Sequence, residues 1–471
     1  MATLASSSVG PATSTTDALR VHPRDLGDLS FKRDHNLKYA YVAGAMANAI
    51  ASCDIVEAMA RAGMLGFFGA AGLSPQRVEA AIERLQQSVG DLPHGFNLIH
   101  SPNEPELEAA VADLYIRKGV RLVEASAYLD LTPHIVRYRL AGPNRVIAKV
   151  SRVEVAEKFM RPAPEAMLRE LVARGLLTAE QAQRGGGLPV AEDITVEADS
   201  GGHTDNRPLV TLLPTMLALR DRLGAPVRIG AAGGIATPSA AAAAFMMGAA
   251  YVVTGSINQA CVESGSSDVV RQMLAEAGQA DTAMAPAADM FEMGVKVQIL
   301  KRGTMFAMRA QKLYELYKAH DSMEALPAPQ RAMLERDLFR APLPEIWRQT
   351  AEFFKVRDPK QLEKAQADPK HKLALVFRWY LGQASRWANA GVADRKVDYQ
   401  VWCGPAMGAF NEWTKGTFLE NPARRRVALV AKNILAGAAH VTQAHYRRLS
   451  GESADAAFAP KTDEQLAEYF G

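Results

Sequence analysis

The chain is predicted to be an α/β protein, a (β/α)8 barrel followed by a mainly helical domain. Three observations carry this. Eight short apolar runs recur between Tyr39 and Ser256, helical patterns alternate with them, and after Ser256 the alternation stops. Alternating strands and helices mean βαβ units and a parallel sheet. Eight units within this length match a closed barrel, with a doubly wound open sheet as the alternative, because periodicity does not report closure.

The elements follow in order. Residues 1–30 open with "MATLASSSVGPATSTTDALR", which has no apolar stretch and reads as a disordered tail. The strand runs are "YAYVAGAM" (39–46), "MLGFFGA" (64–70), "GFNLIH" (95–100), "RLVEASAY" (121–128), "RVIAKVS" (145–151), "DITVEAD" (193–199), "VRIGAAG" (227–233) and "AYVVTGS" (250–256). Between them, "SPQRVEAAIERLQQSV" begins with a serine cap and a proline, and "PELEAAVADLYIRKG" ends on glycine. "TPSAAAAAFMMG" carries a threonine cap, a proline and a terminating glycine. Arg152 to Ala191 is too long for one crossover, and "PEAMLRELVARGLL" and "TAEQAQRGGGLP" suggest two helices there. The domains expected are a tail over 1–30, a barrel over 31–285 and a helical domain over 286–471.

Composition excludes several classes. At 471 residues and 48% hydrophobic content the chain can bury a large core and a smaller second one. A net charge of +3, with dispersed Lys and Arg, does not suggest nucleic-acid binding. Cys53, Cys261 and Cys403 show no CxxC spacing, so neither a disulfide framework nor a metal site is implied, and a cytoplasmic location is expected. No run reaches the ~20 apolar residues of a membrane helix, so no membrane association is expected.

In such a barrel the active site lies at the C-terminal strand ends, often with a phosphate held after the last two strands. Here those ends read "GAAGGIATPS" and "VVTGSINQA". Gly233 and Gly234, with Gly255 and Ser256, would leave backbone N–H groups uncovered before helices, an anion site. The sixth strand ends "EADSGGH": Gly201 and Gly202 would let the backbone lie against a flat ligand, with His203 beside it. A planar ring with a phosphate tail satisfies both features, and flavin mononucleotide (FMN) is the candidate.

These segments also resemble a known family. "GAMAN", "FNLIHSP", "VEASAYL", "ITVEADSGGHTDNRP", "GAAGGIATP" and "VVTGSINQA" are similar to the nitronate monooxygenase and flavin enoyl-reductase superfamily of TIM-barrel flavoproteins. "PAADMFEMGVKVQILKRGTMFAMRAQKLYELY" (286–317) and "DYQVWCGPAMGAFNEW" (398–413) resemble the PfaD-type, trans-acting enoyl reductases of polyunsaturated fatty acid and polyketide synthases. The resemblance implies FMN reduced by NADPH, and reduction of a trans-2-enoyl thioester carried on an acyl carrier protein.

It further implies Gly44, Ala45 and Met46 under the flavin ring, Asn97 hydrogen-bonded to the flavin, Gly202, Gly233, Gly234, Gly255 and Ser256 on the phosphate side, and His203 as catalytic acid or carbonyl partner. Lys149 would place positive charge near the flavin. Acidic carrier domains would meet a basic surface, for which Lys296, Lys301, Arg302, Arg309 and Lys312 are the candidates. A homodimer is the oligomer considered. Two other readings stay open: a nitronate monooxygenase-like flavin oxidase and a non-catalytic assembly component of a synthase.

Overall fold

The computed structural model describes residues 20–100, 102 and 105–470. All eight expected strands form: β1 (Tyr41–Ala43), β2 (Leu65–Phe68), β3 (Gly95–Ile99), β4 (Leu122–Ser126), β5 (Arg145–Val150), β6 (Asp193–Glu197) and, after a two-residue strand β7 (Gly202–His203) outside the barrel, β8 (Arg228–Ala232) and β9 (Val252–Thr254). β9 pairs back onto β1, with Val253 opposite Val42, so the parallel sheet closes and the open-sheet alternative falls. The helices start where their caps predicted. Ser74 Oγ accepts the Arg77 N–H at 3.4 Å, and Thr237 Oγ1 accepts the Ala240 N–H at 3.3 Å.

Of the tail expected over 1–30, residues 1–19 lie outside the described residues, and the rest is not a tail. A turn at Pro23–Asp25 leads into a helix over Leu29–Asp34 that closes the N-terminal end of the barrel. Phe31 is fully buried there and stacks on Tyr251 at 4.1 Å. Arg228 and His35 both bond the buried Asp193, at 2.6 and 2.7 Å. One aromatic in a six-residue polar helix is too short a pattern for periodicity to register.

Two further differences concern helices. The long crossover holds three, Val153–Met160, Glu165–Ala173 and Ala179–Gly185, the first covering the barrel and the other two added outside it. At the far end, the helix Val427–Leu449 returns from the helical region to the barrel shell, where Val430, Ile434 and Leu435 join the barrel's own core. It lies against the helix Pro238–Met246 closely enough that a Cβ on Gly437 would sit 2.5 Å from Pro238 Cγ. The alanines of "TPSAAAAAFMMG" are small for the same reason. The helical region is therefore an insertion between the last strand and the last shell helix, rather than everything from 286 to 471.

That insertion is not purely helical. β10 (Thr282–Pro286), β11 (Lys296–Leu300) and β7 form an antiparallel sheet with β11 in the middle. Val297 of β11 faces His203, and Gln298 faces Gly202. Behind it, helices including Phe306–Ala319, Leu343–Arg357 and Pro369–Ala390 enclose a second core around Phe291, Phe306, Phe377 and Tyr380. A fully buried carboxylate, Asp398, accepts from Tyr380 Oη at 2.7 Å and Arg395 Nη1 at 3.2 Å and pairs with Arg309, which satisfies its charge inside that core. Among the described residues, no helix is long and apolar enough to cross a membrane.

Candidate active site

The C-terminal strand ends, the small sheet and the helix Pro369–Ala390 surround one cavity of about 790 Å³. This is a volume that suits a cofactor or a drug-sized ligand. Gly44, Ala45 and Met46 after β1, Asn97 of β3, Lys149 of β5, Gly233 and Gly234 after β8, and Gly255 and Ser256 after β9 all line it. Gly201, Gly202 and His203 line it from the β6–β7 segment. Every candidate cofactor residue thus reaches the same space.

The glycine loops form a cradle. No backbone or side-chain acceptor takes the N–H groups of Gly233, Gly234, Gly255 or Ser256 among the described residues. A Cβ added to Gly234 or Gly255 would meet nothing within 4 Å, and Gly234 stands at φ +75°. Free donors beside open space suit an anionic tail. Ser256 is partly engaged, its Oγ accepting the Gly404 N–H at 3.1 Å.

The two glycines before His203 have different causes. Gly202 stands at φ +82° with open space beside it, which lets the chain turn from the barrel into β7. Gly201, expected to lie against a flat ligand, instead packs on protein. A Cβ there would lie 2.9 Å from the Cys403 backbone N. The "WCGPAMGAFNEW" segment is therefore a strap pressed on the β6–β7 turn, with Trp402 and Ala406 facing the cavity. Cys403 is buried within it, and burial pushes its thiol up to about 12, so it packs rather than reacts.

Charge is concentrated on the barrel floor of the cavity. Lys149 Nζ lies 3.2 Å from Glu197 Oε1 and 3.9 Å from Glu124 Oε2. Burial would lower the lysine's pKa, but Glu197 and Glu124 outweigh it and hold the ammonium charged. Burial raises the pKa of Glu124, with Glu197 adding to the rise; Lys149 and the Ala45 N–H, donated at 3.1 Å, oppose it. Glu124 Oε1 has no hydrogen-bond partner among the described residues, an unsatisfied acceptor behind the "GAMAN" backbone. Asn97 Nδ2 donates to Glu124 O and Ser126 Oγ, each at 3.0 Å, so its amide is oriented by protein.

His203 faces the cavity with 37% of its side chain exposed. Its Nε2 lies 3.1 Å from Asp289 Oδ1. Burial acts to lower the imidazole's pKa, but the Asp289 carboxylate, its hydrogen bond and Glu197 raise it above the ordinary value. Asp289 is depressed in turn: burial would raise it, and His203 more than reverses that. Sequence reading missed Asp289. It sits in the β10–β11 connection within "PAADMF", where a lone carboxylate among apolar residues is the only signal.

The basic candidates are not gathered on one face. Lys296 lines the cavity, while Lys301 and Arg302 lie past the opposite end of β11 and Arg302 pairs with Asp281 at 3.4 Å. Arg309 is held in the Asp398 cluster, and Lys312 is half-buried on the same helix. No group of three or more His, Cys, Asp or Glu side chains among the described residues is placed to hold a metal ion.

Comparison with known proteins adds to this geometry. A family profile described as nitronate monooxygenase matches residues 30–325, and one described as acyl-carrier-protein S-malonyltransferase, inserted helical domain, matches residues 320–399. One of the polyunsaturated fatty acid synthase proteins of Thraustochytrium sp. is 48% identical over 462 residues, covering 92% of this chain and 31% of the relative. Polyketide biosynthesis protein PksE of Bacillus subtilis is 47% identical over 428 residues, covering 87% and 55%. The chain thus spans about a third to about half of these relatives' length. The crystal structure of the enoyl reductase domain of MlnA, from the macrolactin biosynthesis cluster of Bacillus amyloliquefaciens, superposes with a TM-score of 0.85 at 39% identity. That alignment covers 91% of this chain and 99% of the domain.

Proposed function

The chain belongs to the nitronate monooxygenase family of oxidoreductases, and from that premise we propose that it is an FMN-dependent enoyl reductase working with NADPH on trans-2-enoyl thioesters of an acyl carrier protein. The observation that carries the proposal is one cavity holding both the glycine cradle and an aspartate-held histidine. The similarity to the MlnA enoyl reductase domain favours this chemistry over nitronate oxidation, and the synthase relatives favour a carrier-bound substrate.

When bound, FMN would pass hydride from the nicotinamide nucleotide to the β-carbon of the enoyl group. The chain's own task is to orient the thioester, exclude water and manage one proton. Gly233, Gly234, Gly255 and Ser256 would hold the phosphate through backbone N–H groups. Lys149, kept charged by Glu197 and Glu124, would place positive charge beside the ring. His203 would give its Nε2 proton to the hydrogen bond with Asp289, leaving Nδ1 to donate toward the α-carbon or the thioester carbonyl.

The test is direct. The purified protein should be yellow or take up flavin absorbance on reconstitution with FMN, and turn over NADPH beyond one equivalent per flavin when a crotonyl thioester is present. A colourless protein inert to both would end the proposal. A flavoprotein consuming dioxygen with a nitronate, but not crotonyl thioester, would be an oxidase.

Two further outcomes follow from the site. Asp289→Asn removes the charge that raises the His203 pKa. A raised histidine stays protonated to higher pH, so acid catalysis persists there and fails as pH climbs past the folded-state value. In the variant, the alkaline limb of the kcat profile should shift to lower pH, with kcat on the order of tenfold lower above neutrality. An unshifted limb would remove Asp289 from the proton's path.

Gly382 lines the cavity in the middle of the helix Pro369–Ala390, and a Cβ there meets nothing within 4 Å. Gly382→Ala should stabilise the protein by about 0.5–1 kcal/mol in denaturant titration, because alanine favours a helix interior. Gly382→Phe should fill the cavity beside it. Its kcat/KM should fall ~10-fold or more for a long-chain enoyl thioester and less for the crotonyl one.

A further inference from the structure

Seven asparagine and glutamine side chains are buried among the described residues. Five are paired within the protein, as buried amides ordinarily are: Asn97, Asn144, Asn258, Gln298 and Asn433 each donate to a backbone carbonyl. Gln259 and Gln400, 3% and 5% exposed, have no side-chain hydrogen bond among the described residues. Both line the cavity that holds His203. Neither amide is sealed inside the protein, so each opens onto that cavity.

The backbones of both residues are fixed. Gln400 N–H donates to Ala384 O at 3.2 Å, and Leu300 N–H donates to Val401 O at 2.8 Å, which holds the strap between the helix Pro369–Ala390 and β11. Ser264 Oγ donates to Gln259 O at 2.8 Å. A run of direct contacts joins the two glutamines along one side of the cavity. Next to Ser264, a Cβ on Gly265 would lie 2.2 Å from Ala49 O. The adjoining Asn48 donates its Nδ2 to Ser385 Oγ at 3.2 Å, and Ala384 beside it is the acceptor for Gln400. Every side chain in that run is uncharged, so this wall offers neutral donors and acceptors. An unpaired buried amide is unfavourable, and a carboxamide matches it well, exchanging an N–H and a carbonyl in both directions.

We infer that Gln259 and Gln400 recognise carboxamide groups of a ligand bound in the cavity, each pairing with an amide of its own. The inference rests on the reading of the cavity as an enoyl-reductase site and names what that site reads besides the enoyl group. Two visitors carry the chemistry. A pantetheine arm bearing the acyl chain has two amides, and the nicotinamide nucleotide has one carboxamide on its ring. Two separate glutamines match the arm, which is therefore the expected source.

Calorimetric titration of the full chain, as purified and after reconstitution with FMN, tests this with unreactive ligands. The thioester arm uses butyryl-pantetheine, butyryl-N-acetylcysteamine and S-ethyl butanethioate, which carry two, one and no amides. Affinity should rise about 3–10-fold with each amide, and Gln259→Leu and Gln400→Leu should each remove one such step. Gln400→Asn, which keeps the amide on a shorter stem, should retain part of it. The nucleotide arm compares NADP+ with its 3-acetylpyridine analogue, in which a methyl ketone replaces the carboxamide. A preference for NADP+ that either leucine variant loses would name the nicotinamide as the source. Denaturant unfolding of the leucine variants should match or exceed the native stability, because neither amide makes a bond in the fold. Loss of an amide step in either arm supports the site and names its ligand. Leucine variants that bind every probe as the native protein does would overturn it, as would variants that lose stability or flavin instead. A native protein indifferent to the amides in both arms would overturn it too. The saturated thioesters are not turned over, so a protein that proves not to be an enoyl reductase still decides this question.

Discussion

Gly234→Asp is expected to give a folded protein that retains no flavin. The position tolerates a side chain sterically, since a Cβ there meets nothing within 4 Å. Its φ of +75° is one that aspartate adopts more readily than most residues, so the backbone cost stays near ~1 kcal/mol. The carboxylate would then stand among the free N–H groups of Gly233, Gly255 and Ser256, bonding them itself and repelling a phosphate. Like charges ~4 Å apart near a protein surface repel by about 4 kcal/mol, roughly a thousandfold in affinity. Absorbance of the purified variant, before and after reconstitution, reads the result. Gly234→Ala brings the strain without the charge and should lose far less. Full occupancy in the aspartate variant would show that the phosphate sits elsewhere.

His203→Ala should keep its flavin and lose the enoyl step. The imidazole bonds Asp289 rather than any residue of the glycine cradle, so removing it leaves the cradle's donors in place. Its backbone pairing with Val297 is independent of the side chain and holds the β7–β11 junction. A positioned acid contributes ~10²–10⁴-fold, or about 3–5 kcal/mol of transition-state stabilisation, and only the step that protonates substrate should feel its loss. Rapid mixing with NADPH alone, then of the reduced enzyme with crotonyl thioester, separates the two. Equal slowing of both would make His203 a positioning residue for the nucleotide or the flavin. No slowing of either would assign the proton to another donor.

Most of the residues that sequence reading brought to the cavity lie at or just beyond the end of an apolar run, Asn97 inside β3 being the exception. Lys149 is the penultimate residue of β5, the glycine pairs follow β8 and β9, and "SGGH" follows β6. Strand ends are visible because burial imposes a local alternation and glycines interrupt it. Asp289 has no such marker. It matters only because β11 folds back onto β7, and that pairing joins segments whose proximity no local pattern encodes. Arg309 failed in the opposite direction. Its charged neighbours suggested a surface, whereas Asp398, 89 residues later, draws it into a buried pair.

The sequence by itself determined the eight strand–helix units, their order and the rim on which the chemistry gathers. Those depend on which faces are apolar and where glycine breaks the run, and both are written within a few residues of each other. Closure into a barrel came only with the pairing of β9 on β1. Only the tertiary structure decided that Phe31 plugs the barrel floor and that the helix Val427–Leu449 completes its shell from the far end of the chain. It also decided that Gly201 is small to admit the Cys403 strap rather than a ligand, and that an aspartate from the inserted sheet holds His203. Each of these is a contact between distant segments, stabilised by burial that neither segment could achieve alone, and so neither segment's own pattern announces it.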